Sequence, residues 1–306
     1  MAEPWTLRRR KRPVWFRPLV SAAVLCATIF VTMAWFEESL IFFPDPYPSG
    51  EWDTAAVAAG SGAIVTDRFF TAEDGTRLHG WLCRPEGVGK DRPDSPPMTL
   101  LWFHGNAGNL AHRADVMLML SRLPAQVFIV DYRGYGRSEG RPTEGGLYRD
   151  ARGAWRHLTG DLGVPPKRVV IYGVSLGGGV AVDLAAEVEP AGLIVQSSFT
   201  SVPDMARRHY PFVPGWLIRT RMDSKEKIAR VSCPVMVAHS PADEVVPFEL
   251  GRRLFEAARG DVRFVEIPGA AHNETWLRGG DRYFNEIRNF VAHCGAGRRE
   301  AEHGGE

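Results

Sequence analysis

Between Met98 and His293 the chain alternates short, continuously apolar runs with longer stretches whose apolar residues recur at helical spacing. Residues 98–103, 126–130, 168–172, 192–196, 235–239 and 263–267 read as strands. Residues 110–123, 144–158, the stretch after Ser175, 248–259 and 274–293 read as helices. Strands without polar alternation are those covered by helices on both faces, which is the situation in a parallel sheet. Upstream, 64–71 and 77–83 flank Glu73-Asp74-Gly75-Thr76, the signature of an antiparallel hairpin whose Asp-Gly pair makes the turn. The fold class is therefore α/β, with a mostly parallel sheet and an N-terminal antiparallel hairpin. At 306 residues one large domain accommodates the whole pattern, and no internal repeat is present.

In such a sheet the loops beyond the carboxyl ends of the strands gather along one edge, where a site can be built. The run Ile171-Tyr-Gly-Val-Ser175-Leu-Gly-Gly-Gly179 contains G-x-S-x-G, which places Ser175 on a sharp strand-to-helix turn at the start of a helix. A glycine-rich turn that merely happens to hold a serine is the plain alternative. Asp243 follows strand 235–239, and His272 follows strand 263–267 in Pro268-Gly-Ala-Ala-His272. A serine hydroxyl is a poor nucleophile unless a base takes its proton, so the three suggest acyl transfer. His272 would be the base, and Asp243 would orient it, with the adjacent Glu244 as the alternative acid. His79, His157 and His209 sit in a strand, on a helix and in an insert, and suit the role less well. Negative charge on a tetrahedral intermediate needs donors, for which the backbone N–H groups of Leu176 and Asn106 are the candidates. Asn106 belongs to the loop His104-Gly-Asn-Ala-Gly-Asn109 that follows strand 98–103.

Residues 197–230, broken by Pro203, Pro211 and Pro214, are too few for a large lid and read as a small cap insert. The candidates for a substrate pocket are His104, packed beneath the donor loop, and Tyr210, Phe212 and Trp216 of the insert. The Asn273-Glu-Thr275 sequon adjoins His272 and is taken as accidental. The Asp131-Tyr-Arg-Gly-Tyr-Gly-Arg-Ser-Glu-Gly140 run reads as a structural turn near the site, with an acidic-substrate grip as the alternative. It does not match G-x-G-x-x-G, and no P-loop is present, so nucleotide binding is not expected.

The formal net charge is +1, but residues 1–18 carry Arg8, Arg9, Arg10, Lys11, Arg12 and Arg17 against Glu3, leaving the remainder net negative. The folded part therefore offers no general basic field, and nucleic-acid binding is not expected. Residues 19–36 contain no charge, and as a helix they would extend about 27 Å at ~1.5 Å per residue, close to the thickness of a bilayer core. The expectation is an uncleaved transmembrane signal anchor behind a cytoplasmic N-terminus. The catalytic domain would then be extracytoplasmic, periplasmic in a bacterium. A cleaved signal peptide and a buried core helix are the alternatives. Residues 37–60, rich in proline, read as a connector packing on the domain or at the membrane interface, residues 61–294 as the domain itself, and 295–306 as a disordered polar tail. Residues 85–97 read as a loop. The four cysteines, at 26, 83, 233 and 294, form no C-x-x-C or metal-ligand cluster, so neither a metal nor another cofactor is expected.

The motifs His104-Gly-Asn-Ala-Gly-Asn, Asp131 to Gly140, Gly173-Val-Ser-Leu-Gly-Gly and Pro268-Gly-Ala-Ala-His272-Asn together resemble the α/β-hydrolase superfamily. They are most similar to its bud-emergence-related, membrane-tethered branch, which includes protein depalmitoylases. The resemblance covers about residues 38–293 and takes in the connector Ser39-Leu-Ile-Phe-Phe-Pro. It implies an eight-stranded sheet, the chain order Ser, Asp, His for the triad, and a serine hydrolase of esters or thioesters without a cofactor. The substrate would be an acylated small molecule, a lipid or an acyl-protein. A serine peptidase on the same fold and a catalytically silent scaffold are the alternative functions. The N-terminus departs from the branch, with an apolar run in place of the depalmitoylases' cysteine cluster.

Overall fold

A computed structural model describes residues 16–87 and 97–296. The basic stretch up to residue 15, residues 88–96 of the expected loop and the tail beyond residue 296 lie outside the described residues. In chain order the elements are α1 (Phe16–Ile41), α2 (Thr54–Ala58), β1 (Ala63–Thr71), β2 (Arg77–Pro85), β3 (Met98–Phe103), α3 (Ala114–Leu120), β4 (Ala125–Asp131) and α4 (Glu144–Arg156). They continue with β5 (Val169–Val174), α5 (Leu176–Ala185), β6 (Gly192–Gln196), α6 (Val202–His209), α7 (Ser224–Ile228), β7 (Val235–His239), α8 (Phe248–Ala257), β8 (Val262–Glu266) and α9 (Thr275–Ala296).

The eight strands form one sheet in the order β1-β2-β4-β3-β5-β6-β7-β8. β2 runs antiparallel to both β1 and β4, and the remaining pairs are parallel. This is the mostly parallel sheet with an antiparallel hairpin expected from the strand pattern. Every residue of β3, β4, β6 and β7 is buried, which accounts for their unbroken apolar composition. Successive side chains of a strand point to opposite faces. Leu101 and Phe103 accordingly join the core under α4 and α5, while Leu100 and Trp102 join the one under α3 and α9. Register aligns the strand ends: Phe103 lies opposite Gly173, Val174 opposite Gln196, Gln196 opposite Ala238, and His239 opposite Glu266. The loops after β3, β5, β6, β7 and β8 therefore leave the sheet at one level.

Some elements differ from the sequence reading. The stretch 110–123 divides into a 3-10 turn, Leu110–Arg113, and the short α3, because Asn109 caps the turn with its side chain. α9 is broken at Gly280, where φ is 48°. The Asp131 to Gly140 turn is structural at both arginines. Arg133 forks onto Asp150 and reaches Asp74, and Arg137 lies over the rings of Tyr47 and Trp52 and pairs with Asp67. Cys83, Cys233 and Cys294 carry free thiols.

The expected transmembrane signal anchor is corrected. Residues 19–36 lie inside α1, and among the described residues no helix is long and apolar enough to cross a membrane. Hydropathy counts apolar residues along a run but not where the helix ends or what it docks on. α1 continues through Glu37 and Glu38 to Ile41, and Glu37 is buried against the insert. The expected orientation, with a cytoplasmic N-terminus and an extracytoplasmic domain, rested on that anchor and falls with it.

Leu101 is fully buried at the centre of β3. Leu101→Ala is expected to destabilise the fold by about 2–5 kcal/mol, read as a lower urea midpoint at unchanged slope.

Candidate active site

Ser175 stands between β5 and α5 with φ 53° and ψ −118°, a strained conformation for a residue with a side chain. The strain is imposed by close packing around it. A Cβ on Gly173 would lie 2.3 Å from the carbonyl oxygen of Gly177, and one on Gly177 would lie 2.1 Å from that of Phe103. Both glycines of G-x-S-x-G are therefore required by space. The turn is held by Ser175 N–H donating to Gln196 O at 2.9 Å, and by Gly178 N–H and Ser198 Oγ donating to Ser175 O at 2.9 and 2.8 Å.

His272, on the loop after β8, places Nε2 3.1 Å from Ser175 Oγ. Its Nδ1 lies 2.9 and 3.0 Å from the two carboxylate oxygens of Asp243. An ionised carboxylate only accepts, so Nδ1 carries the proton and Nε2 is left to accept from the serine hydroxyl. The Asp243 side chain is fully buried. Its Oδ1 accepts from the N–H groups of Val245 and Val246 at 3.0 and 2.8 Å, and His239 Nε2 stands 3.3 Å from Oδ2. Burial pushes the carboxyl upward, but the hydrogen bonds from His239 and His272 outweigh it and hold Asp243 well below the usual carboxylate range. Glu244, the alternative acid, instead accepts from the backbone N–H of His272 at 3.0 Å. It positions the loop while the imidazole faces Asp243.

The other histidines are engaged elsewhere. His79 contacts Asp67 at 2.7 Å, His157 contacts Asp161 at 2.7 Å, and His209 Nε2 donates to Val245 O at 2.9 Å. His104 is fully buried beneath the donor loop, with Nδ1 2.7 Å from Gly105 O and Nε2 3.2 Å from Asp131.

Leu176 opens α5, so its N–H precedes the first intrahelical bond and is free for a ligand. Gly105 approaches so closely that a Cβ on it would touch Ser175 Cβ at 3.6 Å, which brings the following residue, Asn106, to the same turn. The Asn106 side chain is spent on the N-terminal segment. Its Oδ1 accepts from Phe43 N–H at 3.1 Å and Tyr135 OH at 3.0 Å, and its Nδ2 donates to Ile41 O at 2.5 Å.

Ser175 and His272 open onto a cavity of about 1060 Å³. Its apolar lining includes Leu40, Phe43, Val202, Leu217 and Trp276. Of the expected pocket residues, Tyr210 and Phe212 line it, and His104 and Trp216 do not. Trp216 is 81% exposed, and its neighbour Leu217 faces the cavity in its place. A proline-broken stretch offers no periodicity from which to tell the inward side chain from the outward one. Also unforeseen were His239 beside Asp243 and the whole contribution of residues 37–43. The only signal for either was a charged or polar residue within an apolar run. Among the described residues no cluster of three or more His, Cys, Asp or Glu is arranged to hold a metal.

A family model described as "Serine aminopeptidase, S33" matches residues 94–223. The uncharacterized protein Rv2307c of Mycobacterium tuberculosis is 38% identical over 90% of this chain and 94% of its own length. The alpha/beta hydrolase domain-containing protein WAV2 of Arabidopsis thaliana is 32% identical over 88% of this chain and 92% of its own. Among solved structures, the esterase Pf2001 of Pyrococcus furiosus superposes with a TM-score of 0.66 over 82% of this chain and 98% of that one. Its sequence identity is 19%, so it shows a shared fold.

Two outcomes follow from the geometry. Ser175→Gly removes backbone strain of about 1–3 kcal/mol, less about 0.5–1 kcal/mol for the added freedom of the unfolded chain. A net gain of about 1 kcal/mol is expected in urea unfolding. Asp243 has a folded pKa below its unfolded value of about 3.9, so proton binding favours the unfolded chain. Its contribution to stability is present above about pH 4 and is lost as pH falls toward the folded pKa. Between pH 5 and pH 3 the urea midpoint of the wild type should drop further than that of Asp243→Asn.

Proposed function

This chain belongs to the α/β-hydrolase family, and from that premise we propose that it is a serine hydrolase cleaving carboxylic esters or thioesters through an acyl-enzyme at Ser175. The observation that carries the reading is the continuous hydrogen-bonded line from Ser175 through His272 to Asp243 at the floor of an apolar cavity. Ser175 Oγ attacks the carbonyl carbon while His272 Nε2 takes its proton. Asp243 holds the imidazole tautomer and stabilises the imidazolium. The oxyanion is received by the N–H groups of Leu176 and Asn106, and each such donor contributes about 3–4 kcal/mol to the transition state. As the intermediate collapses, His272 returns the proton to the departing alcohol or thiol and leaves the acyl group esterified to Ser175. Water then attacks the acyl-enzyme with His272 again as base, and the carboxylic acid leaves.

Residues 197–230 act as the cap of this site, supplying Val202, Tyr210, Phe212 and Leu217 to the cavity. The motifs of the donor loop and nucleophile turn resemble those of the bud-emergence-related branch, and that resemblance supports cleavage of esters or thioesters. A peptidase reading is favoured by the matching family description, but it requires polar subsites for a peptide. The Glu37 carboxylate, the buried acid lining the cavity, is already occupied by Thr220 and Arg219. Esters and thioesters suit the apolar lining better.

Labelling by a fluorophosphonate probe is expected for the wild type and absent in Ser175→Ala. A folded wild type that stays unlabelled, or a Ser175→Ala variant that labels, would overturn the assignment. On a panel of p-nitrophenyl esters, acyl thioesters and peptide amides, Ser175→Ala and His272→Ala should each lower kcat by about 10⁴-fold or more. Asp243→Asn should lower it by about 10³–10⁴-fold. The double variant Ser175→Ala/His272→Ala should be little worse than either single one, since the two act as a unit.

A further inference from the structure

The segment 37–43, which spans the end of α1 and the two residues after it, was expected to be part of a connector packing on the domain or at the membrane interface. It instead forms part of the cavity that holds Ser175, which Glu37, Leu40, Ile41 and Phe43 all line. Two separate sets of hydrogen bonds fix it there. At its far end the side chain of Asn106 clasps Ile41 O and Phe43 N–H, so the segment is bonded to the residue whose N–H is assigned to the oxyanion. At its near end Glu37, only 8% exposed, reaches across to the irregular stretch 219–222 of the cap, 182 and 183 residues later in the chain. There its Oε1 accepts from Thr220 N–H at 2.6 Å, and its Oε2 accepts from the N–H and Nε of Arg219 at 3.2 and 3.3 Å.

The next two residues of the same stretch are held in the same way by a second carboxylate. Arg221 and Met222 donate their backbone N–H groups to Glu144 at 2.6 and 2.8 Å. Glu144 opens α4, an element of the sheet-bound body. Four successive N–H groups of this stretch of the cap thus end on two carboxylates, one belonging to the body and the other to the N-terminal segment. A buried carboxylate is tolerated only when its hydrogen bonds are made, so Glu37 locks two walls of the cavity together.

We propose that Glu37 is a positioning residue for acyl-chain recognition: by tying the end of α1 to the cap it holds Leu40 and Phe43 as a fixed wall of the cavity, and this wall selects the length of the acyl chain. The inference rests on the esterase reading of Ser175. Without the tie, the α1 end and residues 219–220 of the cap separate. Long chains then lose a packed surface that short chains never reach.

The test measures kcat/KM of the full chain for p-nitrophenyl esters from acetate to dodecanoate. Glu37→Ala should lower the ratio of long-chain to short-chain kcat/KM by about tenfold, chiefly through KM, the scale of one or two methylenes losing their pocket. Glu37→Gln should fall between, because its amide keeps one acceptor oxygen and loses the other. Leu40 is 57% exposed, so Leu40→Trp adds bulk at the wall without entering the core, and it should depress the longest esters selectively. If Glu37→Ala does not fold, Leu40→Trp alone decides. A folded Glu37→Ala with the wild-type length profile, or a Leu40→Trp with no change in it, overturns the proposal. A purely structural Glu37 would give that first result, with a lowered urea midpoint. Ester hydrolysis that survives Ser175→Ala would instead overturn the functional reading, which separates the two failures.

Discussion

The site depends on one close contact, the approach of α5 to the carboxyl end of β3. Gly177 has no Cβ, and any side chain there would run into the carbonyl oxygens of Phe103 and His104. Because the helix can sit that near, the chain must turn within a single residue, and Ser175 takes the strained φ that this requires. The same approach brings the loop after β3 alongside the serine, so Ser175 and the donor loop proposed to serve it share one origin. Strain at Ser175 is held in place by bonds on both sides of the peptide, to Gln196 and from Ser198 and Gly178.

Around this turn, the carboxylates that hold the site and the cap each accept several hydrogen bonds. Asp243 is enclosed by two N–H groups and two histidines, which keeps it ionised where burial alone would protonate it. Glu37 and Glu144 each receive two backbone N–H groups from residues 219–222 of the cap, and Arg133 is gripped by Asp150 and Asp74. Each carboxylate joins segments far apart in the chain. The cap insert has few regular elements, and these bonds give it a defined position over the cavity.

Much of the frame was legible before the structure. The central strands β3, β4, β6 and β7 are buried along their whole length, so their composition is unambiguous, and β3, β6 and β7 have the ends read from the pattern. The placement of Ser175, Asp243 and His272 on the loops after β5, β7 and β8 was legible for the same reason, since loops at one end of a parallel sheet must converge. The cap resisted reading because proline-broken chain carries no period, and Trp216 and Leu217 exchange the roles that hydrophobic bulk would assign. The apolar run 19–36 misled because hydropathy is a property of composition. Where α1 ends, and that Glu37 docks on the insert, are properties of contact.

What the sequence by itself determined is therefore the local and periodic part: the strands, the two glycines that a tight turn needs, and the three residue types with acyl-transfer chemistry in a usable order. Only the tertiary structure decided which acid faces His272, what occupies the side chain of Asn106, and that residues 37–43 line the cavity. These are pairings across 29, 63 and 182 residues, made by a few hydrogen bonds to backbone or carboxylate groups. A hydrogen bond between distant residues leaves no periodicity and little compositional trace. It exists only once packing has set the two partners within about 3 Å of each other.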